Sequence, residues 1–326
     1  MNGASLRRRA TGAAALALCA TLPLWGGTPY GLELGISAAT FTILSTGLNL
    51  VYGYTGLLSF AQVAFFGIGA YTAALLVRDA GWPMLAGAAA GGALATLFGL
   101  AIGYTSLRLS RHAFAIVSLS FALLCLVVAR DWTSLTRGPM GLPGLIAPTL
   151  SFAGIGRLRL ADPAAFYWMM LFYTVVVLVL LHRLVRSRIG RAFIAIRMNQ
   201  PLAESQGIDP LRHRLLAIGV SAFVTGIAGG LYVFHLTIVD PSIFDFYYTE
   251  TMLIMVIIGG PGSFWGVVIA SLAFSAIPDL LRFTPDLRMV LYGVVLIAAM
   301  IAFPRGIGGW VVERRLTRLR RRFASA

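Results

Sequence analysis

Few side chains in this 326-residue chain could do chemistry, and their spacing is poor for it. The acids within or beside apolar stretches are Glu33, Asp131, Glu250 and Asp279, and none stands at useful spacing from a nucleophile or a histidine. Asp279 and Arg282, three apart on an expected helix end, are placed to pair with each other. His112, His182, His213 and His235 show no metal-ligand spacing; three of them flank apolar runs and read as interfacial residues. Cys19 and Cys125 both sit inside apolar runs, too few for a disulfide framework or a cysteine metal site. All 26 basic residues are arginine. Without lysine the chain has no P-loop, whose lysine must reach the nucleotide phosphates, and no Schiff-base lysine. No catalytic, metal-binding or cofactor-binding residue is expected, and any ATP must be handled by another protein.

The elements that carry these residues are apolar. Hydrophobic residues make up 58% of the chain and the mean hydropathy is +0.84, far above a soluble domain. The net charge of +14 does not point to nucleic acid, because the arginines sit at the ends of apolar runs and are not interleaved with aromatics. A helix needs about 20 apolar residues to cross the hydrocarbon. Runs of that kind lie near 12–27, 34–52, 57–77, 84–106, 113–130, 166–185, 214–236 and 288–303, with a divided region at 250–281. The expected fold is an all-α transmembrane bundle of about 8–10 spans. Residues 1–30, with Arg7, Arg8 and Arg9 before an alanine- and leucine-rich run, resemble a signal peptide, and a retained signal-anchor-like span is the preferred reading.

Arginine placement sets the orientation. With the N-terminus inside, the inner segments hold three arginines at 7–9, Arg108 and Arg111, seven between 183 and 214, and seven between 305 and 322: 19 of the 26. Only Glu204, Asp209 and Glu313 among the acids fall there. Both termini and the loop 186–213 are therefore expected in the cytoplasm, with 305–326 a basic tail.

Parity requires the region 250–287 to begin and end outside. It reads as two apolar arms hinged at Gly259-Gly260-Pro261-Gly262-Ser263. The first arm, Met252–Ile258 with Thr249 as its expected N-cap, is too short to span. A re-entrant hairpin or two short tilted helices would satisfy this. A second glycine-rich interruption lies at Gly47–Phe60, in the other half of the chain. Paired broken helices point to a transport pathway, since unwound backbone survives in a membrane only where protein buries it or water lines it; ordinary glycine-rich turns between helices are the equal alternative. Gly259, Gly260 and Gly262 are pathway candidates on this ground. Asn49, Ser59 and Gln62 either line the pathway or hydrogen-bond between helices. Gly87/Gly91, Gly99/Gly103, Gly226/Gly230 and Gly262/Gly266 have the spacing that lets helix backbones approach closely. Span centres are almost free of ionisable residues, which argues against ion coupling.

The stretch Arg183–Arg214 is the long basic break in the chain. Ser187 can cap a helix that places Ile189, Phe193 and Ile196 on one face. Asn199-Gln200-Pro201 breaks it, Pro201 suits the first turn of a second helix, and Gly207 stops that helix. Such a pair could be a lever for a cytosolic motor or an amphipathic helix lying on lipid headgroups.

Six segments resemble one family: GLNLVYGYTGLLSFAQVAFFGIGAYTAALL (47–76), SLRLSRHAFAIVSLSF (106–121), LTRGPMGLPGL (135–145), SRIGRAFIAIRMNQPLAESQGIDPLRHRLLAIGVSAFVTGIAGGLY (187–232), MLIMVIIGGPGSFWG (252–266) and RMVLYGVVLIAAMIAFPRGIGG (288–309). Together they resemble the LivM type of inner-membrane permease from ABC importers of branched-chain amino acids. The resemblance implies a permease domain over 31–304 in a bacterial inner membrane. It implies a second related permease, two cytosolic ATPases and a periplasmic binding protein as partners. Pro201, Leu202, Ala203, Glu204, Ser205, Gln206 and Gly207 would be the segment that couples to an ATPase. Ser205-Gln206 is more polar than the family's usual alanine–methionine. The turn cluster Arg137–Leu145 would lie outside. Branched-chain amino acids are the first expectation for the substrate; similar permeases carry urea, short amides and aromatic acids. An autonomous secondary carrier is the competing class.

Overall fold

The computed structural model describes residues 29–145, 149–152, 156–159 and 162–275, with 293–294, 297 and 306–309. The expected span at 12–27, Cys19, the Asp279/Arg282 pair, most of the span at 288–303 and the tail beyond 309 lie outside the described residues.

Helix α1 (Pro29–Leu48) runs straight into a π-helical segment, Asn49–Tyr54. Its threonines bend their hydroxyls back to carbonyls four residues earlier, Thr40 to Ile36 and Thr42 to Ala38, so polar side chains sit in an apolar helix with their hydrogen bonds made. The chain then unwinds, and α2 (Gln62–Ala80) begins five residues later than the apolar run at 57 suggests. Gly56 at φ +76° ends the preceding helical segment, because that backbone conformation cannot continue a right-handed helix. Helices α3 (Met84–Ser106) and α4 (Arg111–Asp131) follow, the latter capped by Ser110.

A short helix α5 (Thr133–Thr136) and a 3-10 turn at Gly138–Met140 lead to strand β1 (Leu142–Pro143) and a hairpin of β2 (Thr149–Phe152) with β3 (Gly156–Arg159). Helix α6 (Pro163–Arg186) is followed by α7 (Arg188–Met198), α8 (Gln200–Ser205) and α9 (Pro210–Leu236). Strand β4 (Ile238–Val239) pairs antiparallel with β1, Leu142 opposite Val239. The Arg137–Leu145 turn cluster is thereby tied to the end of α9. After a 3-10 turn at Pro241–Phe244 come α10 (Phe246–Gly259) and α11, described over Phe264–Ser275.

Seven described segments are long and apolar enough to cross a membrane, so the chain is a multi-pass, all-α membrane protein. One of them, Pro241–Gly259, corrects the expectation of a first arm too short to span. The cap is Asp245, which accepts from the Phe246 N–H at 3.1 Å; Thr249 is buried inside the helix. The aromatic residues Phe246, Tyr247 and Tyr248 belong to the helix and lengthen the arm.

The centre of the bundle is a glycine seam between α2, α3 and α9. A Cβ on Gly91 would come within 2.6 Å of the Gly69 carbonyl oxygen, and one on Gly226 within 2.9 Å of the Gly92 Cα. Backbones this close exclude any side chain, which is how small residues drive packing where lipid removes the hydrophobic gain. Phe66, Ile36, Leu44 and Met170, all fully buried, fill the surrounding core.

Candidate functional site: two helix breaks and the basic loop

Two polar junctions interrupt this apolar interior. At the first, Ser221 of α9 donates to the Gly47 carbonyl at 2.8 Å and to Gln62 Oε1 at 3.1 Å, while Gln62 Nε2 donates to Thr225 Oγ1. Gln62 is 1% exposed, and both ends of its amide are engaged. Ser59 does not join this group; it is buried in the unwound segment, where its hydroxyl accepts from the Ala61 N–H at 3.4 Å.

The second junction brings the two glycine-rich interruptions face to face. Asn49 Oδ1 accepts from the Gly262 N–H at 2.9 Å, and Asn49 Nδ2 reaches the Ser263 carbonyl at 3.5 Å. Gly260 and Gly262, at φ +91° and +85°, form the turn from α10 to α11, closed by Ser263 N–H to the Gly260 carbonyl at 2.9 Å. Gly259 packs directly on α11, where a Cβ would lie 2.7 Å from the Val267 nitrogen. The two arms therefore fold back on each other at the hinge that the sequence marks.

Below this hinge sits the basic loop. Ser187 caps α7, its hydroxyl accepting from Ile189 and Gly190 N–H at 3.1 and 3.4 Å. Phe193 and Ile196 are fully buried, with Ile189 partly so, as their spacing predicts. Arg197 follows one turn after Phe193 on the same helix. Its Nη1 donates to the Gly53 carbonyl in the first break and to the Pro261 carbonyl in the second, the latter at 3.2 Å. Carbonyls at a helix break lose their in-helix donors, so a cation with fixed geometry is a suitable replacement. The sequence offered one signal for this contact, two breaks with carbonyls to satisfy, but nothing that selects Arg197 over Arg188 or Arg191.

Helix α8 starts one residue earlier than expected, at Gln200, and ends at Ser205; Gln206 and Gly207 form its stop. Asn199 Oδ1 caps it from the Leu202 N–H at 3.2 Å, Pro201 occupies its first turn, and Gly207 takes φ +78°. Only Ala203 is buried. Pro201, Leu202, Glu204, Ser205, Gln206 and Gly207 are all exposed. Arg214 Nη2, at the buried base of α9, donates to Gln200 Oε1 at 3.0 Å and ties the start of the helix to α9, and within the helix Gln200 Nε2 donates to Glu204 Oε1 at 2.9 Å.

The model of a family described as "Branched-chain amino acid transport system / permease component" matches residues 32–300. The chain belongs to that family. Among curated relatives, the high-affinity branched-chain amino acid transport system permease protein LivM of Escherichia coli K12 is 31% identical, over 90% of this chain and 74% of its own. The permease protein LivH of the same system and organism is 24% identical, over 86% of this chain and 93% of its own. A probable LivM of Methanocaldococcus jannaschii is 26% identical over 44% of this chain and 46% of its own. No solved structure matches. The match covers the described bundle, both breaks and the whole basic loop of this permease.

Proposed function

We propose that this chain is the transmembrane permease subunit of an ATP-driven importer that moves branched-chain amino acids from periplasm to cytoplasm. The observation that carries the reading is α8: a short helix fastened to the base of α9 by the hydrogen bond from Arg214 to Gln200, with nearly all of its own surface exposed. A helix built this way gains nothing for the fold by its exposure and suits docking into a partner. The partner would be a cytosolic ATPase, because the chain has no lysine with which to build a P-loop of its own. Two such ATPases, a second related permease and a periplasmic binding protein would complete the assembly; relatives of both the LivM and LivH kinds support a permease pair.

On this reading the arginine-rich loop 186–213 and tail 305–326 face the cytoplasm of a bacterium, the protein sits in the inner membrane, and residues 31–304 form the permease domain. ATP turnover in the partners would move α8 and switch access through the bundle. Reconstitution in proteoliposomes with the two ATPases, the sister permease and the binding protein is the test. Uptake of radiolabelled leucine that requires internal ATP is expected. Equal uptake by this chain alone, without ATP, would replace the proposal with a secondary carrier.

A further inference from the structure

We propose that Arg197 is a positioning residue that transmits movement of α8 to both helix breaks at once, a clasp between the basic loop and the membrane hinge. The proposal rests on the reading of the chain as an ATP-driven permease. Arg197 lies three residues before α8 begins and one turn after Phe193, whose full burial with Ile196 anchors the same helix. One nitrogen of its guanidinium holds two carbonyls, Gly53 and Pro261, that belong to segments over 200 residues apart and that also meet through Asn49.

The path of the side chain is cut through glycine. At Gly56 a Cβ would lie 3.1 Å from Arg197 Cγ, and at Gly262 one would lie 2.6 Å from Arg197 Nη1 and 2.9 Å from the Gly53 carbonyl oxygen. Both glycines also have positive φ, so the two turns and the route of the arginine are built from the same residues. A side chain that merely oriented the protein in the bilayer would snorkel to water. This one turns inward and replaces the missing helix donors on both sides of the hinge. If α7 and α8 move as one body, the two breaks must follow or the clasp must open.

The test measures ATP hydrolysis and radiolabelled leucine uptake side by side, in the complete reconstituted complex carrying Arg197→Met. Methionine keeps the apolar stem and removes the donors. Hydrolysis within about twofold of wild type, with uptake per ATP reduced about tenfold, is expected. Arg197→Lys, which can still donate to both carbonyls, should recover at least a third of the lost coupling. Gly262→Ala leaves the arginine in place but pushes its head out, so it should reproduce the uncoupling and serves where Arg197→Met does not assemble. Unchanged uptake per ATP in these variants, or an equal fall in uptake and hydrolysis, overturns the clasp. A wild-type complex without ATP-dependent uptake overturns the clasp together with the reading beneath it.

Discussion

The side-chain oxygen of Asn49 accepts a hydrogen bond at 2.9 Å from the backbone N–H of Gly262, 213 residues further along the chain. Two interruptions of membrane helices thus satisfy each other. Unpaired backbone groups are costly in an apolar interior, and here the first break brings the acceptor that the second one lacks. The two glycine-rich interruptions, at Gly47–Phe60 and Gly259–Ser263, have a spatial meaning: the two breaks form one junction.

Replacing Asn49 with leucine should therefore leave the Gly262 N–H unpaired in a part-buried site. A loss of about 0.5–1.5 kcal/mol is expected, read as a lowered thermal unfolding midpoint in detergent. An unchanged midpoint would mean that Gly262 finds another acceptor and that the Asn49 contact is dispensable.

Glycine position decides a second outcome. At Gly91 a Cβ would meet backbone, the Gly69 carbonyl oxygen at 2.6 Å; at Gly103 it would meet the flexible end of Leu215 at 3.1 Å. Gly91→Ala should cost about 1–3 kcal/mol or more, while Gly103→Ala is absorbed by a small side-chain shift. Comparing the unfolding midpoints of the two variants checks this. Equal effects would show that α2 and α3 can separate without loss.

These glycines illustrate what the sequence could and could not convey. Their spacing marked Gly91 and Gly226 as small-residue positions, but not that α2, α3 and α9 share one seam. Local chemistry was readable: Ser187 and Gly207 bound the loop helices as their residue types require, and the hinge falls at Gly260–Gly262. Boundaries set by tertiary contacts were not. Asp245 took the cap expected of Thr249 because the aromatic run 246–248 joined the helix, and α2 began at Gln62, after an unwound stretch that starts at Gly56. The pairing of β1 with β4 depends on residues about 95 apart and left no periodic trace. Asn49 stood out as a polar residue in an apolar stretch, yet its partner is a backbone N–H that no composition reveals.

Gln62 has both ends of its amide occupied by α9, through Ser221 and Thr225. It is expected to hold helices together and not to contact substrate. Gln62→Leu should lower stability by on the order of 1 kcal/mol and leave the KM for uptake unchanged. A several-fold rise in KM with an unchanged unfolding midpoint would move Gln62 into the pathway.

The two faces of α8 predict opposite phenotypes from neighbouring residues. Leu202 is 58% exposed, and Ala203, the next residue, is 4% exposed. An apolar side chain held in water gains about 1.5–3 kcal/mol when a partner buries it. Leu202→Asp removes that gain and adds a charge that the interface must desolvate, so capture of the partner ATPases should weaken by at least about tenfold, with the unfolding midpoint unchanged. Ala203→Asp instead places an unpaired carboxylate against α7 and α9, where its burial is paid from the stability of the loop. Its midpoint should fall, and ATPase capture should fail only as a consequence of the disordered loop. Affinity pull-down of the ATPases and thermal unfolding, run on both variants, separate the two effects. A stable Leu202→Asp protein that still captures the ATPases at wild-type strength would remove α8 as the docking element.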